Sequence, residues 1–385
     1  MKNDDRIWLS EPDVGDRGRA LVAAALGCGR LSGGPLVEAF ESMFADWVGR
    51  RYGVAVASGT IGTWLALRAA GIGPGDEVIT SAYAWHQVAH AITLAGAVPV
   101  FADIDYWSGC LSARKAAARV GPATRAILAG NTNGHPAAWR ELRALADEHR
   151  LLLIEDSTEA IGSRYLGRLV GGFGDVAVFD FSQPGALCCG EGAMVVTDDP
   201  TLASELAYLR ERRLADRGSV SVGARVPLQA GIGELAAGLG IAQLERIDEI
   251  LARRKHVEGL YRLHVQSFEG IKPPYLGPDI DEVHWMLYVV HLGRRFGASA
   301  RAQMVDDLDA QGVEAAAVCT PLHRQFHYED RHGCLRGQLP DTERIADRAL
   351  ALPLHGGLDD DAVAHVVEAL KDSATNVGAG AAIYL

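Results

Sequence analysis

The chain has 385 residues, of which 48% are hydrophobic and 22% are charged, and this balance is typical of a soluble globular protein. Its length is sufficient for one large and one smaller domain, each with its own core. The formal net charge of −12 argues against a surface that binds nucleic acid or an anionic membrane.

Targeting and metal signals are weak in this sequence. No apolar run reaches the ~18 residues that a membrane span needs, and the first residues lack the basic and apolar segments of a secretory signal. The six cysteines are scattered, without the pair spacing of a metal site. We therefore expect a cytoplasmic protein with reduced thiols, no metal, and no nucleic-acid or membrane partner.

Strands alternate with helices along the first half of the chain. We predict strands at 52–57, 77–80, 97–105, 125–129 and 151–154, and helices at 35–47, 61–70, 81–94 and 139–149. This alternation is typical of a mostly parallel sheet covered on both faces, so the predicted fold class is α/β. Ligands on such sheets bind at the carboxyl ends of the strands.

Other segments have less regular patterns. We expect an acidic arm at 1–30, a glycine-rich patch at 229–240, a long helix at 241–263 that links two domains, and a tail at 376–385 that extends onto a surface. The predicted domains are a large α/β domain over 1–250 and a small α+β domain over 251–385.

The triplet Ser58-Gly59-Thr60 lies between a predicted strand and a predicted helix. A helix N-terminus offers free backbone N–H groups and the positive end of the helix dipole, so this turn is a candidate anion site. Ser or Thr at this place would also serve as an ordinary helix cap. Asp156 ends the most apolar strand, at the edge of the sheet where a ligand would bind. The alternative to a ligand-binding role is that Asp156 caps a helix.

The stretch 179–197, FDFSQPGALCCGEGAMVVT, predicts two strands joined by a glycine-rich loop. Glycines at this density indicate backbone that turns tightly or approaches a ligand closely. Asp180 lies inside an apolar strand, and the loop carries the adjacent thiols Cys188 and Cys189. We expect these thiols to be packing residues, with a disulfide between them as the rarer alternative.

Six segments form an ordered series over about residues 8–370. They are SGTIGTWLALRAAGIGPGDEVITSAYAW, GHPAAW, LLLIEDSTEAIGSRYLGRLVGGFGDVAVFDF, GEGAMVVTDD, ELAAGLGIAQLERID and LPLHGGL. Together they resemble the DegT/DnrJ/StrS family of sugar aminotransferases. The resemblance implies an aspartate-aminotransferase fold with a seven-stranded, mostly parallel sheet, the cofactor pyridoxal phosphate (PLP), and a homodimer whose site lies at the subunit interface.

The resemblance also assigns roles to residues of this chain. Trp85 stands where the family stacks an aromatic ring on the pyridine, and Asp156 stands where a carboxylate pairs with the pyridine nitrogen. The rest of the implied cofactor pocket consists of Ser58, Gly59, Thr60, Ser182, Gly185 and Gln229.

Two positions depart from the family pattern in ways that affect the cofactor directly. Gly185 stands where the family has the lysine that forms the Schiff base, and no lysine lies between Lys115 and Lys255. Asp180 stands where the family has a phosphate-binding serine. A carboxylate ~4 Å from a phosphate, at an effective dielectric of ~20, is repelled by several kcal/mol.

Three further departures accompany these two. Glu159 stands where the family has a glutamine near the pyridine ring, so it adds a negative charge. Gln229 and Gly231 stand in place of an asparagine and an arginine that serve the partner subunit's phosphate site.

Three hypotheses follow from this pattern. In the first, which we favour, the protein is a PLP-independent enzyme that acts on a small polar metabolite in secondary-metabolite or modified-sugar biosynthesis. It is then not a functional transaminase and uses no cofactor. Its candidate acid–base residues are Asp180, Glu159, His86 and Asp156.

In the second hypothesis, the protein binds pyridoxamine phosphate (PMP) or PLP noncovalently, as lysine-free sugar dehydratases of the family do, and His86 supplies the acid–base group. In the third, it is an inactive regulatory or scaffold partner of an active homologue. Asp180 favours the first hypothesis over the second, because an acid in the phosphate pocket opposes both cofactors.

Overall fold

A computed structural model of the chain describes residues 6–211, 226–265 and 270–382. The helices are α1 (Asp16–Leu26), α2 (Pro35–Val48), α3 (Gly59–Ala69), α4 (His86–Leu94), α5 (Ala113–Ala117), α6 (Trp139–His149), α7 (Pro200–Arg210), α8 (Glu234–Leu244), α9 (Ile247–Val265), α10 (Ala298–Ala310), α11 (Phe326–His332), α12 (Pro340–Ala346) and α13 (Asp360–Ala382). In these ranges, no helix has the length and apolarity that a bilayer crossing requires.

The strands form three sheets. They are β1 (Tyr52–Val56), β2 (Glu77–Ser81), β3 (Val98–Ala102), β4 (Thr124–Gly130), β5 (Leu152–Asp156), β6 (Arg164–Tyr165), β7 (Arg168–Leu169), β8 (Val176–Asp180), β9 (Ala193–Thr197), β10 (Ile271–Lys272), β11 (Ile280–Glu282), β12 (Tyr288–Leu292), β13 (Ala316–Ala317) and β14 (Ala349–Leu352).

The large sheet has seven strands in the order β1-β9-β8-β5-β4-β2-β3. Strand β9 pairs antiparallel with both β1 and β8, and every other pairing in this sheet is parallel. The predicted α/β fold with a seven-stranded, mostly parallel sheet is therefore confirmed. The carboxyl ends of β1, β5 and β8 meet at one edge, and this edge carries the candidate site.

Strand β8 shows how both faces of the sheet are covered. Val176 and Val178 pack in one core with residues of α3 and α4, while Ala177 and Phe179 pack in another core with residues of α2 and α8. Because successive strand side chains point to opposite faces, a strand buried on both sides reads as a continuous apolar run. Asp180 is the exception at the end of that run.

A smaller unit is built on the antiparallel sheet β10-β12-β14-β13, which packs against α9, α10 and α13. Tyr261 of α9 stacks on Tyr288 of β12 with ring centroids 4.2 Å apart. Helix α9 joins the two units, because Leu251 packs in a core of the large sheet and Val257 packs in the core of the small one.

The glycine-rich patch contains the start of helix α8, which was not predicted there, and the span predicted as one long helix at 241–263 is divided between two helices, α8 and α9. The glycines of α8 serve close helix packing. A Cβ on Gly240 would lie 2.5 Å from the Phe40 ring of α2. The buried carboxylate of Glu234 also accepts the N–H groups of Gly34, Leu36 and Val37 at 3.0 Å, so it caps α2.

Both predicted chain ends differ from the structure as well. The acidic arm contains α1, which packs on α8, and the expected extended tail continues α13 to Ala382. Both ends are rich in small residues, which show no clear apolar period, so the sequence did not predict a helix at either end.

Candidate active site

The turn after β1 forms the first part of the site. Ser58 is the extended residue before α3, and its Oγ accepts the Ile61 N–H at 3.4 Å. The ordinary capping role is therefore present. The N–H of Gly59, at the first position of α3, has no acceptor within the helix, so it can donate to an anion.

That N–H is taken by Asp180. The side chain lies at the end of β8 and is only 6% exposed. Its Oδ2 accepts the Gly59 N–H at 2.5 Å, and its Oδ1 accepts the Ser182 N–H at 2.7 Å and the Ser182 hydroxyl at 2.5 Å. A carboxylate of the protein thus fills the anion position at the N-terminus of α3. A Cβ on Gly59 would lie 2.6 Å from Oδ2, which shows how closely the two groups fit.

Asp156 lies beside Asp180, at the end of the neighbouring strand β5. Burial raises the pKa of this carboxyl, and the negative charge of Asp180 raises it further. Two groups favour its charged form: Thr158, whose N–H donates to Oδ1 at 3.1 Å, and the side-chain amide of Gln87 on α4. Thr158 also accepts the Asp180 N–H at 3.1 Å, so it connects the two acids.

Glu159 forms the third acidic position. Its half-buried carboxylate accepts the N–H of Asn133. Burial raises its pKa to about 8, and the charge of Asp156 contributes to this rise. A carboxyl with such a pKa exchanges a proton near neutral pH, as a general acid or base must.

Asn133 was not predicted from the sequence. It adopts a left-handed backbone with φ of 50°, a conformation that asparagine tolerates better than most residues. Its side chain exchanges two hydrogen bonds with the Leu287 backbone, at 3.0 and 3.1 Å, and so connects Glu159 to the small unit. The motif Asn133-Gly134 was the available signal, because such pairs favour turns with positive φ.

Trp85 is the residue before α4, and His86 is the first residue of that helix. Trp85 is 37% exposed, so its ring is accessible to a ligand. His86 is exposed, and its ring contacts are Trp85 and His90, with ring centroids 5.8 and 4.9 Å away. The chain therefore does not bring His86 into contact with the acids, because position 86 lies on the outer face of α4. Its acid–base role, predicted from its place next to Trp85, stays a prediction.

Gly185 and Gln229 occupy the other positions of the implied pocket. A Cβ on Gly185 would meet only the carbonyl oxygens of Leu187 at 3.3 Å and Ser182 at 3.5 Å, so a side chain could be placed there with small shifts. Gln229 is exposed in the chain, next to Ala230, which pairs with the backbone of Ala57 at 2.8 Å.

The adjacent thiols Cys188 and Cys189 are both free and buried, as predicted. Burial raises the pKa of each thiol, and nearby negative charge adds to the effect. Cys189 packs in the core beneath the sheet. Neither thiol has the exposure and the lowered pKa of a nucleophile. No group of three or more His, Cys, Asp or Glu side chains in the described ranges is arranged to hold a metal.

The acids at the carboxyl edge, the turn at α3 and the exposed Trp85 ring can be compared with those of known proteins. A sequence profile of the DegT/DnrJ/EryC1/StrS aminotransferase family matches residues 12–371. The chain belongs to this family.

Individual relatives within the family are similar over nearly their whole length. The spore coat polysaccharide biosynthesis protein SpsC of Bacillus subtilis is 34% identical over 97% of this chain and 98% of its own. GDP-perosamine synthase of Caulobacter vibrioides is 33% identical over 96% of this chain and 99% of its own. The structure of DesV from S. venezuelae, in complex with a ketimine intermediate, is 31% identical, with a TM-score of 0.87 over 96% of this chain and 98% of its own.

Proposed function

We propose that this protein is an enzyme of the sugar aminotransferase family that has given up covalent PLP and transamination. It acts instead on a small polar metabolite, a sugar or a sugar derivative, by acid–base chemistry. The observation that carries the proposal is the Asp180 carboxylate, which holds the Gly59 N–H at the N-terminus of α3. The resemblance to the family implies that a cofactor phosphate would bind at this turn.

The phosphate of PLP does not fit the site as these residues arrange it. To enter, it would have to displace Asp180 from three hydrogen bonds, or lie beside its charge. Two such charges ~4 Å apart repel by several kcal/mol at an effective dielectric of ~20. Asp180 is buried and has no cationic partner in the described part of the chain, so no salt bridge there offsets this repulsion.

The covalent link also lacks its amine. Gly185 has no side chain, and the chain has five lysines, Lys2, Lys115, Lys255, Lys272 and Lys371. The last four lie in the described ranges and are engaged or located elsewhere. Lys115 binds Asp103 and Asp341, and Lys255 binds Glu258 at 2.6 Å. Lys371 donates to the His264 carbonyl at 2.7 Å, and Lys272 lines a cleft of the small unit.

Asp156 and Glu159 supply the proton chemistry in this proposal. Both carboxyls have raised pKa values, so each can hold a proton at a pH where an exposed carboxyl has lost it. Gln87, two residues after Trp85, hydrogen-bonds Asp156, and the accessible ring of Trp85 offers a flat apolar surface to a sugar ring. The carbohydrate-related names of SpsC and GDP-perosamine synthase support a sugar as the substrate class.

The test compares three ligands that share one ring, by calorimetry on the purified full chain. PLP and PMP carry the phosphate, and pyridoxal is the matched control without it. We expect PLP and PMP to bind no tighter than pyridoxal, and an amino donor to yield no keto acid in the presence of PLP. Binding of PLP far tighter than pyridoxal, with turnover of the donor, would overturn the proposal.

A PMP-dependent dehydratase is the second candidate, and the presence of Trp85 and Asp156 in the positions that would hold a pyridine ring favours it. A PMP enzyme needs no tethering lysine, but its cofactor carries the same phosphate and meets the same Asp180. Tight binding of PMP, with weak binding of pyridoxal, would support this second function against the first.

A further inference from the structure

Two histidines lie one turn apart on the exposed side of α4. His86 is the first residue of this helix, and His90 follows it by four positions. Residues at this spacing lie on the same face of a helix, and the ring centroids of the two imidazoles are 4.9 Å apart. Both residues are exposed, and neither imidazole makes a hydrogen bond or an ion pair with another described residue. Both rings are therefore available to a ligand from solution.

The separation of the two rings matches that of two imidazoles bound to one metal ion. A Zn–N bond is about 2.0–2.1 Å long, so the centre of each ring would lie about 3.2 Å from the ion. With an angle of about 90–110° at the ion, the two ring centres would be about 4.5–5.2 Å apart. The observed 4.9 Å lies within this range. Binding therefore requires rotation of two exposed rings and no movement of the backbone. Histidines at the same spacing on one helix bind Zn²⁺ in H-E-x-x-H sites.

The chemistry of the pair selects the kind of ion. Imidazole binds divalent transition metals such as Zn²⁺ and Ni²⁺, whereas Mg²⁺ and Ca²⁺ prefer oxygen ligands. Burial and the charges of His86 and His327 lower the pKa of His90, so its imidazole is uncharged at neutral pH, which is the form that binds a metal. The described ranges contain no group of three His, Cys, Asp or Glu side chains placed for a metal. Water would therefore occupy the remaining coordination positions.

The first turn of α4 is a place where a bound ion would have an effect. The helix has only nine residues, and Trp85 at its N-cap position makes no side-chain hydrogen bond to the free N–H groups. An ion held by His86 and His90 would link the first residue of the helix to the fifth. The linked turn also contains Gln87, whose side-chain amide hydrogen-bonds Asp156. An ion that binds this turn only when it is folded would stabilise the folded chain.

Two free imidazoles at a chelating separation, on a helix that begins without a side-chain cap, match a metal site. We propose that His86 and His90 together bind one divalent transition-metal ion, Zn²⁺ or Ni²⁺, with water in its other coordination positions. The ion links the two histidines across the first turn of α4 and stabilises the start of the helix that follows Trp85. This inference does not depend on the proposed function, because it requires neither the acids nor the loss of PLP.

The test is titration of the full chain, without a histidine tag, with zinc chloride and nickel chloride. All proteins carry Cys28→Ser, because an exposed thiol also binds these metals. Calorimetry should show one Zn²⁺ bound per chain and no binding of Mg²⁺. Because the rings of Trp85 and His86 are 5.8 Å apart, Ni²⁺ should quench the Trp85 fluorescence. Trp85→Phe should lose that quenching and still bind Zn²⁺. Absence of saturable Zn²⁺ binding, or Mg²⁺ binding as tight as that of Zn²⁺, would overturn the proposal.

Matched variants locate the site. His86→Ala and His90→Ala should each weaken Zn²⁺ binding at least about tenfold, because one imidazole alone gives no chelate. His149→Ala, at an exposed position of α6, is the control and should bind Zn²⁺ as the parent chain does. At a Zn²⁺ concentration about one hundredfold above Kd, the melting temperature of the parent should rise by about 3 °C. Neither His86→Ala nor His90→Ala should show this rise. Circular dichroism checks that each variant is folded. Tight binding retained by both variants would place the metal elsewhere and overturn the proposal.

Discussion

Asp180 and Gly59 are joined by a 2.5 Å hydrogen bond. It runs from the end of β8 to the first turn of α3, the helix that follows β1, and β9 lies between β8 and β1 in the sheet. The helix therefore has an internal anion at its positive end. An external phosphate would have to compete with this carboxylate for the same N–H group. Because of this bond we expect the phosphate of PLP to be excluded, and the bond also leads to predictions about stability.

Removing the carboxylate should destabilise the fold. Asp180→Ala loses three hydrogen bonds and the negative charge at the N-terminal end of α3. The expected cost is about 1–3 kcal/mol of unfolding free energy, in part offset by relief of the repulsion with Asp156. Urea unfolding measures it. Asp306→Ala, at an exposed position of α10, is the control and should change stability by less than about 0.5 kcal/mol. Equal effects of the two changes would contradict the capping role.

A methyl group at Gly59 should be costly only while Asp180 is present. The Cβ would lie 2.6 Å from Oδ2, and the buried carboxylate cannot move without breaking its bonds to Ser182. Gly59→Ala should therefore destabilise the unmodified chain more than it destabilises Asp180→Ala. A double-mutant cycle should give a coupling of ~1–3 kcal/mol. Additive effects within error would show that the two groups do not meet as described.

The acid cluster predicts a pH dependence of stability. The folded-state pKa of Glu159 is about 8, against 4.5 for its ordinary value, so the folded state binds the proton more tightly than the unfolded chain. The stability linked to this group is fully present below pH 4.5 and is lost as the pH rises toward about 8. Asp156 changes stability in the same direction, because its pKa is also raised.

Glu159→Gln keeps an acceptor for the Asn133 N–H and cannot ionise. Its melting temperature should fall less than that of the unmodified chain between pH 4.5 and 8, as measured by differential scanning calorimetry. Glu148→Gln, on the surface of α6, is the matched control and should follow the unmodified chain. Parallel curves for the unmodified chain and Glu159→Gln would contradict the raised pKa.

The thiols allow a simple test of the packing in the loop after β8. Cys28 is exposed, whereas Cys188 and Cys189 are buried with raised pKa values. With a thiol reagent under native conditions, Cys28→Ser should remove the fast phase of the reaction. Cys188→Ser and Cys189→Ser should leave that phase unchanged. A fast phase that disappears with Cys188 or Cys189 would indicate an open, reactive loop instead.

The sequence predicted the large sheet because each strand and helix there has a clear apolar period. Helix α6 was predicted with its observed bounds, Trp139–His149. Helix α8 was missed because its glycines reduce helix propensity, and the reason for them, close packing on Phe40, depends on a residue 200 positions away.

The site was predictable in part for the same reasons. Asp156 and Asp180 could be placed at strand ends. Their closeness to each other follows from the parallel pairing of β5 and β8. The contact between Asp180 and Gly59 could not be predicted from the residues, because β9 lies between β1 and β8 in the sheet. That the ring of His86 lies against Trp85 and His90 could not be predicted in full, because sequence adjacency to Trp85 does not determine the face of α4 on which a side chain lies.

The proposed loss of a tethered cofactor is tested most directly by restoring its attachment. Four proteins, the unmodified chain, Gly185→Lys, Asp180→Ser and the double variant, are mixed with PLP, and the visible absorbance of a lysine imine is recorded. Space for a side chain exists at position 185. We predict that only the double variant turns yellow at low PLP, because it has both the amine and an open phosphate position. An equally yellow Gly185→Lys variant, or a yellow unmodified chain, would contradict the exclusion of phosphate by Asp180.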